Sequence, residues 1–229
     1  MPAVLFDMDG VLVDSEDYWV AFERDELLPR VVPDEDVAVA EITGMNYREI
    51  YDYLDAEYET AMSREEFLET FESFAHELYT ERVSLLDGLH DLLADLDERD
   101  ADFEGRDADL DDRTVRTAVV SSSPHEWIDL VLDRFDLEGS FDAVVSADDV
   151  DGPGKPAPDV FEYAADELDV PIEACVVVED SENGVEAAAR AGATTVAYRI
   201  DAHDDLDLSR ADVVVNSPEE LQDAVLRNV

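Results

Sequence analysis

Six short runs of β-branched and other apolar residues, each closing on a polar side chain, recur along this 229-residue chain: AVLFD (3–7), TAVVS (117–121), DAVVS (142–146), ACVVVED (174–180), TTVAY (194–198) and ADVVVN (211–216). Near-continuous hydrophobicity over about five residues is the pattern of a strand buried on both faces, as in a parallel sheet. Between most of them lie segments of helical period, such as HEWIDLVLDRF (125–135) and VFEYAADEL (160–168). After Glu179 comes DSENGVEAAARAG, a helix with Gly192 as a candidate C-terminal stop. Strands alternating with helices predict an α/β fold with a Rossmann-like, mostly parallel sheet.

One interval breaks that rhythm. Residues 16–84 carry amphipathic helical patterns, among them YWVAFERDELL and REEFLETFESFAHELY, and no strand pattern. The chain therefore predicts an all-helical cap domain over 16–84, inserted into a core formed by 1–15 and 85–229. The core resumes near Leu86-Asp87-Gly88, followed by the helix LHDLLADLDE. Residues 97–112 hold nine acids and two arginines and read as a solvated surface loop.

Charge limits the partners. With 62 acidic and 15 basic residues the formal net charge is −47, and Lys155 is the only lysine. Self-repulsion on this scale costs stability in dilute buffer, and molar salt removes most of it. Acids spread along the whole chain, with lysine nearly absent, predict a protein adapted to a multimolar-salt cytoplasm. A single acidic block would instead suggest a basic partner. No basic patch for nucleic acid can be assembled from scattered arginines. No apolar run approaches a membrane span, and MPAVLFDMDG enters a strand without a signal-type leader. Cys175 stands alone, which excludes an internal disulfide or cysteine metal site. The expectation is a cytoplasmic protein whose oligomeric state the sequence leaves open.

In an open α/β sheet the ligand crevice lies beyond the carboxyl ends of the strands. Asp7, Ser121 and the pair Glu179-Asp180 all stand at such ends, and Asp9 follows Asp7 by two positions with Gly10 permitting a tight bend. Any one of them alone reads as a turn or cap residue. Together they gather four carboxylates, whose repulsion a hard divalent cation relieves, and Mg2+ suits such an oxygen set. Lys155, in the Gly/Pro-rich loop GPGKPAPD, is then a compact cation for a phosphoryl group held on the other side.

These motifs, DMDGVLVDS, VVSSS, GKPAPD and VVVEDSENGVEAAARAG in that order, resemble those of the haloacid dehalogenase superfamily, in the subfamily with a helical cap after the first strand. The resemblance implies a phosphatase of small phosphorylated metabolites. It makes Asp7 the nucleophile, Asp9 the general acid and base, Ser121 a hydrogen-bond donor to the phosphoryl group, and Lys155 its counter-charge. Mg2+ would be held by Asp7, the Asp9 backbone carbonyl and Asp180, with Glu179 a ligand or a supporting partner. Ser122 and Arg48, the latter in the cap stretch ITGMNYRE (42–49), are candidates for substrate contact; Arg48 is equally readable as a surface arginine.

Asp9 argues against dehalogenation, and a Schiff-base hydrolase of this type would need a cap lysine that is absent. A sugar-phosphate mutase of the β-phosphoglucomutase type is the principal alternative. Such mutases resemble this core but carry cap residues His and Lys where Trp19 and Thr43 align here, and second-phosphate ligands where Pro124-His125 stand. A non-catalytic phospho-acceptor module is the other alternative, and the inserted cap counts against it.

Overall fold

The computed structural model describes residues 1–42, 45–98, 115–200 and 206–229. All six expected strands form: β1 (Ala3–Phe6), β2 (Arg116–Ser121), β3 (Ala143–Ser146), β4 (Cys175–Glu179), β5 (Thr194–Tyr198) and β6 (Val213–Val215). They pair in parallel throughout, in the order β3-β2-β1-β4-β5-β6. The chain steps outward from β1 through β2 to β3, then returns to the other side of β1 for β4. That reversal opens a crevice beside the carboxyl end of β1, the usual ligand position in such sheets.

Continuous hydrophobicity has the expected cause. Val4 and Phe6 of β1 face one apolar cluster, with Val119, Val176 and Val178, while Ala3 and Leu5 face a second, with Val120, Cys175 and Val177. The second cluster is closed by α7 (Asp159–Glu167) and α8 (Glu182–Ala191) through Phe161, Ala164, Ala187 and Ala188. The first is closed by α5 (Leu89–Glu98), α6 (His125–Arg134) and α9 (Pro218–Asn228). It runs on without a break into the inserted helices. Helix α8 ends as expected at Gly192, whose φ of 90° is left-handed. Because α5 extends to Glu98, Asp97 and Glu98 are helical rather than part of the acidic loop; residues 99–112 of that loop lie outside the described residues.

The insertion comprises α1 (Glu16–Phe22), α2 (Leu28–Val31), α3 (Tyr47–Glu57) and α4 (Arg64–Glu77). YWVAFERDELL is not one regular helix: a π-helical turn, Glu23–Leu27, separates α1 from α2. Pro29 cannot donate to the carbonyl of Asp25, so the ordinary ladder is interrupted there. A second π-helical turn, Leu78–Arg82, follows α4, whose start is fixed by Ser63 and Glu66 in a reciprocal cap. π turns often occur at functional sites, and both of these carry a residue into the crevice region.

Cap meets core through aromatic rings. Trp19 of α1 stacks on Trp127 of α6 at 5.8 Å and on Phe71 of α4 at 5.5 Å. The two connecting segments are tied to each other. Asp14 N donates to the Ser84 carbonyl at 3.1 Å, Ser84 N donates to the Asp14 carboxylate, and Val13 bridges Leu85 antiparallel.

Candidate active site

Asp7 leaves the end of β1 with its backbone N–H still bonded to the Val178 carbonyl of β4 at 3.0 Å, which places its side chain between two strand ends. Lys155 reaches it from the loop before α7. Its Nζ donates to Asp7 Oδ1 at 2.7 Å, to Glu179 Oε1 at 2.6 Å and to the Val120 carbonyl at 3.3 Å, and it sits 5.0 Å from the Phe161 ring centre. All three of its protons are thus directed. Burial alone would lower the lysine pKa, but the Asp7 and Glu179 charges outweigh it and hold the ammonium more firmly protonated than usual.

Glu179 is fully buried, and both its oxygens are engaged. Oε1 accepts from Lys155, while Oε2 accepts from the backbone N–H of Asp180 at 3.1 Å and from the Ser181 hydroxyl at 3.0 Å. Helix α8 packs its first turn directly on this carboxylate: a Cβ at Gly184 would fall 1.9 Å from Glu179 Cδ. Gly184→Ala, though favourable for helix propensity, is therefore expected to destabilise the fold by about 1–3 kcal/mol through overpacking. Its denaturation midpoint should fall, and a midpoint raised above wild type would refute the close packing.

Asp7, Glu179 and Asp180 offer carboxylate oxygens within 4.8 Å of one another, all buried. Gly10, at φ 71°, crosses against this cluster so closely that a Cβ there would lie 2.3 Å from Asp180 Oδ2. Hard oxygen donors held together by a close backbone approach fit a magnesium ion. Burial pushes the Asp7 carboxyl well above its ordinary range; Lys155 pulls it down, and Glu179, Asp180 and Asp9 push it further up. A bound divalent cation would relieve that tension.

Asp9 points away from this cluster, into a separate hydrogen-bond set. Its Oδ1 accepts from the hydroxyls of Ser15 and, at 2.7 Å, Tyr79; its Oδ2 accepts from Ser123 Oγ at 3.2 Å. Tyr79 belongs to the second π turn and itself receives the Trp19 indole N–H at 3.3 Å. Burial and the Glu16 charge push the Asp9 carboxyl up to about 6, against the downward pull of Ser15, Tyr79 and Ser123. The two aspartates of the DMD motif thus occupy distinct environments.

This has a sign for stability. A carboxyl that titrates near 6 folded and near 3.8 unfolded makes the native state bind more protons between those values, so stability falls as pH rises across that window, by roughly 3 kcal/mol in all. Asp9→Asn removes the charge and keeps an acceptor for Ser15 and Tyr79. In metal-free buffer it is expected to melt several degrees above wild type at pH 8, with the advantage shrinking at pH 5. Equal melting temperatures at both pH values would refute it.

The remaining sequence candidates fall as follows. Ser121 is buried at the end of β2, its Oγ accepting from Ser123 N at 3.1 Å. Ser122 lines the crevice, and its carbonyl accepts from Asn46 Nδ2 of the cap at 3.1 Å. Arg48 is turned outward to Asp148 at 2.8 Å, with its guanidinium 4.8 Å from the Tyr47 ring centre, and is not among the residues lining the crevice. His125 pairs with Asp149 at 2.8 Å on the outside. Cys175 is buried, with its thiol pushed up to about 11 by burial. Thr43 and Gly44 of the cap loop lie outside the described residues. Sequence reasoning missed Ser123, Tyr79, Asn46 and Glu23. Tyr79 reaches Asp9 only where the cap closes on the core, and Ser123 only where the chain after β2 runs beside the end of β1, so neither contact is local in sequence.

Residues 1–192 match the haloacid dehalogenase-like hydrolase family. The chain belongs to that family. Hexitol phosphatase B of Escherichia coli K12 is 30% identical over 225 residues, covering 96% of this chain and 93% of that protein. A β-phosphoglucomutase of Bacillus subtilis is 29% identical over 206 residues, covering 84% and 80% respectively. Among solved structures, CbbY from Rhodobacter sphaeroides in complex with phosphate superposes with a TM-score of 0.75 at 25% identity, covering 96% of each chain. Both the α/β sheet and the inserted helical cap are therefore those of haloacid dehalogenase-like hydrolases. Among the described residues, no helix is long and apolar enough to cross a membrane.

Proposed function

We propose that this haloacid dehalogenase-like hydrolase is a magnesium-dependent phosphatase of small phosphomonoesters, phosphorylated carbohydrates among them, working through an aspartyl-phosphate on Asp7. The observation that carries the reading is the pairing of Asp7 with Lys155 at 2.7 Å beside the Asp180 carboxylate, with Asp9 held apart facing the same cavity.

An Asp7 carboxylate oxygen attacks phosphorus, the P–O bond to the alcohol breaks, and protonated Asp9 delivers its proton to the departing oxygen. Water then attacks the phosphoryl group of Asp7, Asp9 takes a proton from it, and the P–O bond to Asp7 breaks to release inorganic phosphate. The pKa near 6 suits Asp9 to both directions of transfer. Lys155 and the Ser121 hydroxyl carry phosphoryl oxygens, and Glu179 serves as the lysine's positioning residue, since both its oxygens are already engaged by Lys155 and by the start of α8. Asp7, the Asp9 carbonyl and Asp180 would hold Mg2+, which supplies charge neutralisation for phosphoryl transfer. The cap is read as 16–84 and the core as 1–15 and 85–229, a division supported by the tie between Asp14 and Ser84.

Phosphate release from a panel of phosphomonoesters, with and without Mg2+ and at low and multimolar KCl, tests this reading. Metal-dependent release is expected. Interconversion of hexose phosphates without net release would favour a mutase. Silence in both assays from folded protein would favour a non-catalytic module.

A further inference from the structure

One cap side chain makes two bonds at once. Asn46 caps α3: its Oδ1 accepts from the Arg48 backbone N–H at 3.0 Å, satisfying a donor of the first turn. Its Nδ2 donates across the crevice to the Ser122 carbonyl of the core at 3.1 Å. The two bonds together fix the amide, because the reversed orientation would set oxygen against oxygen and N–H against N–H. Asn46 also lines the cavity of about 120 Å³ between cap and core, together with Asp7, Ser121 and Lys155.

Asn46 holds the middle of the serine run that follows β2. The Ser122–Ser123 peptide is planar and trans, so its C=O and N–H point in opposite directions. The C=O faces Asn46, and the N–H donates to Ser121 Oγ at 3.1 Å. That bond occupies one lone pair of Ser121 Oγ and leaves the hydroxyl hydrogen able to turn. Among the described residues that hydrogen meets no acceptor, and the side chain borders the cavity with Asp7 and Lys155. The next carbonyl, of Ser123, is held by Ser146 Oγ at 2.8 Å, so the core anchors that side by itself.

Given the phosphatase reading, on which this rests, we propose that Asn46 is a positioning residue for phosphoryl transfer. It holds the Ser122–Ser123 peptide so that the Ser121 hydroxyl hydrogen is aimed at a phosphoryl oxygen. The chain of bonds runs from the Asn46 amide through one peptide group to Ser121 Oγ, and bonds in series polarise one another. A carbonyl that accepts strengthens the N–H across its peptide, and a hydroxyl oxygen that accepts strengthens its own hydrogen as a donor. The cap thereby acts on a group at the end of β2. Arg48, two positions on, also joins cap to core through Asp148 at 2.8 Å, but both partners are half-exposed. Salt screens such a pair, whereas the amide bond carries no net charge.

Asn46→Ser and Asn46→Ala separate the two bonds. Serine still caps α3 but is too short to reach Ser122, and alanine does neither. Both variants are expected to lose kcat alike, by about tenfold, with KM within about twofold of wild type. Asn46→Ser should melt about 2–4 °C above Asn46→Ala, because stability alone follows the cap. A double-mutant cycle with Ser121→Ala then tests the route. Ser121→Ala by itself should lower kcat by about 10^2-fold or more. Adding Asn46→Ser to it should cost less than about twofold, since the hydroxyl that Asn46 aims is gone. Losses that multiply across the cycle would overturn the inference, because Asn46 would then act independently of Ser121. Wild-type kcat in Asn46→Ser, with or without a loss in Asn46→Ala, would overturn it as well, and so would wild-type kcat in Ser121→Ala. Each of these results leaves phosphate release by wild type intact. Absence of release from every ester by folded wild type, with Mg2+ present, would instead defeat the phosphatase reading itself. If Asn46→Ala does not fold, Asn46→Ser and the cycle still decide.

Discussion

Asp7→Asn is expected to reduce phosphate release by on the order of 10^4-fold or more, because the carboxamide retains the shape of the side chain and loses its nucleophilic charge. One oxygen remains to accept from Lys155, which Glu179 continues to hold at 2.6 Å, so the fold should persist. The variant should also fail to form a covalent phospho-enzyme. Acid quench of wild type during turnover of labelled substrate should leave label on the protein, released by hydroxylamine as an acyl phosphate is. The variant should retain none. A variant that turns over within tenfold of wild type would exclude Asp7 as nucleophile.

Lys155→Met is expected to affect both activity and stability. Removing the cation opposite the phosphoryl group should lower kcat by about 10^2–10^3-fold, the range for loss of one preorganised charge-stabilising donor. It also leaves buried Asp7, Glu179 and Asp180 within 4.8 Å of one another without their lysine. Breaking a buried pair by deleting one member costs about 3–5 kcal/mol, because the surviving charge is uncompensated.

The sign with pH follows directly. Lys155 pulls the Asp7 carboxyl down, so its loss raises the folded pKa further above the unfolded one. The native variant then binds more protons, and its deficit should be larger at pH 8 than at pH 5. Added Mg2+ should recover part of the lost stability by binding the native cluster. Denaturant melts at the two pH values, with and without metal, measure all three effects. A deficit independent of pH would refute the assignment of cost to uncompensated carboxylates.

Much of this was legible from strand ends. The strands of TAVVS, AVLFD and ACVVVED are buried on both faces, so local pattern and tertiary environment agree, and their terminal polar residues fall where parallel sheets expose side chains. Asp7, Ser121, Glu179 and Asp180 follow from that geometry alone. The engagement of both Glu179 oxygens does not. It depends on α8 pressing Gly184 against the Glu179 carboxylate and on Lys155 arriving from a separate loop.

Arg48 illustrates the opposite case. Its charge made it a candidate for an anionic substrate, but the Asp148 carboxylate, a hundred positions away in sequence, takes its guanidinium outside the cavity lining. Glu23 went unnoticed for the converse reason: an acid in a chain with 62 acids carries no signal until a helix face points it inward.

By itself the sequence determined the sheet, the inserted helices and the residues at the strand ends, because hydrophobic period and strand polarity are local properties of the chain. Only the tertiary structure decided which partner each carboxylate has: Asp7 with Lys155, Asp9 with Tyr79 and Ser123, and Glu16 and Glu23 facing the cavity. Those pairings join residues up to 148 positions apart, and electrostatics acts through distance in space, which helical period and strand pattern do not encode.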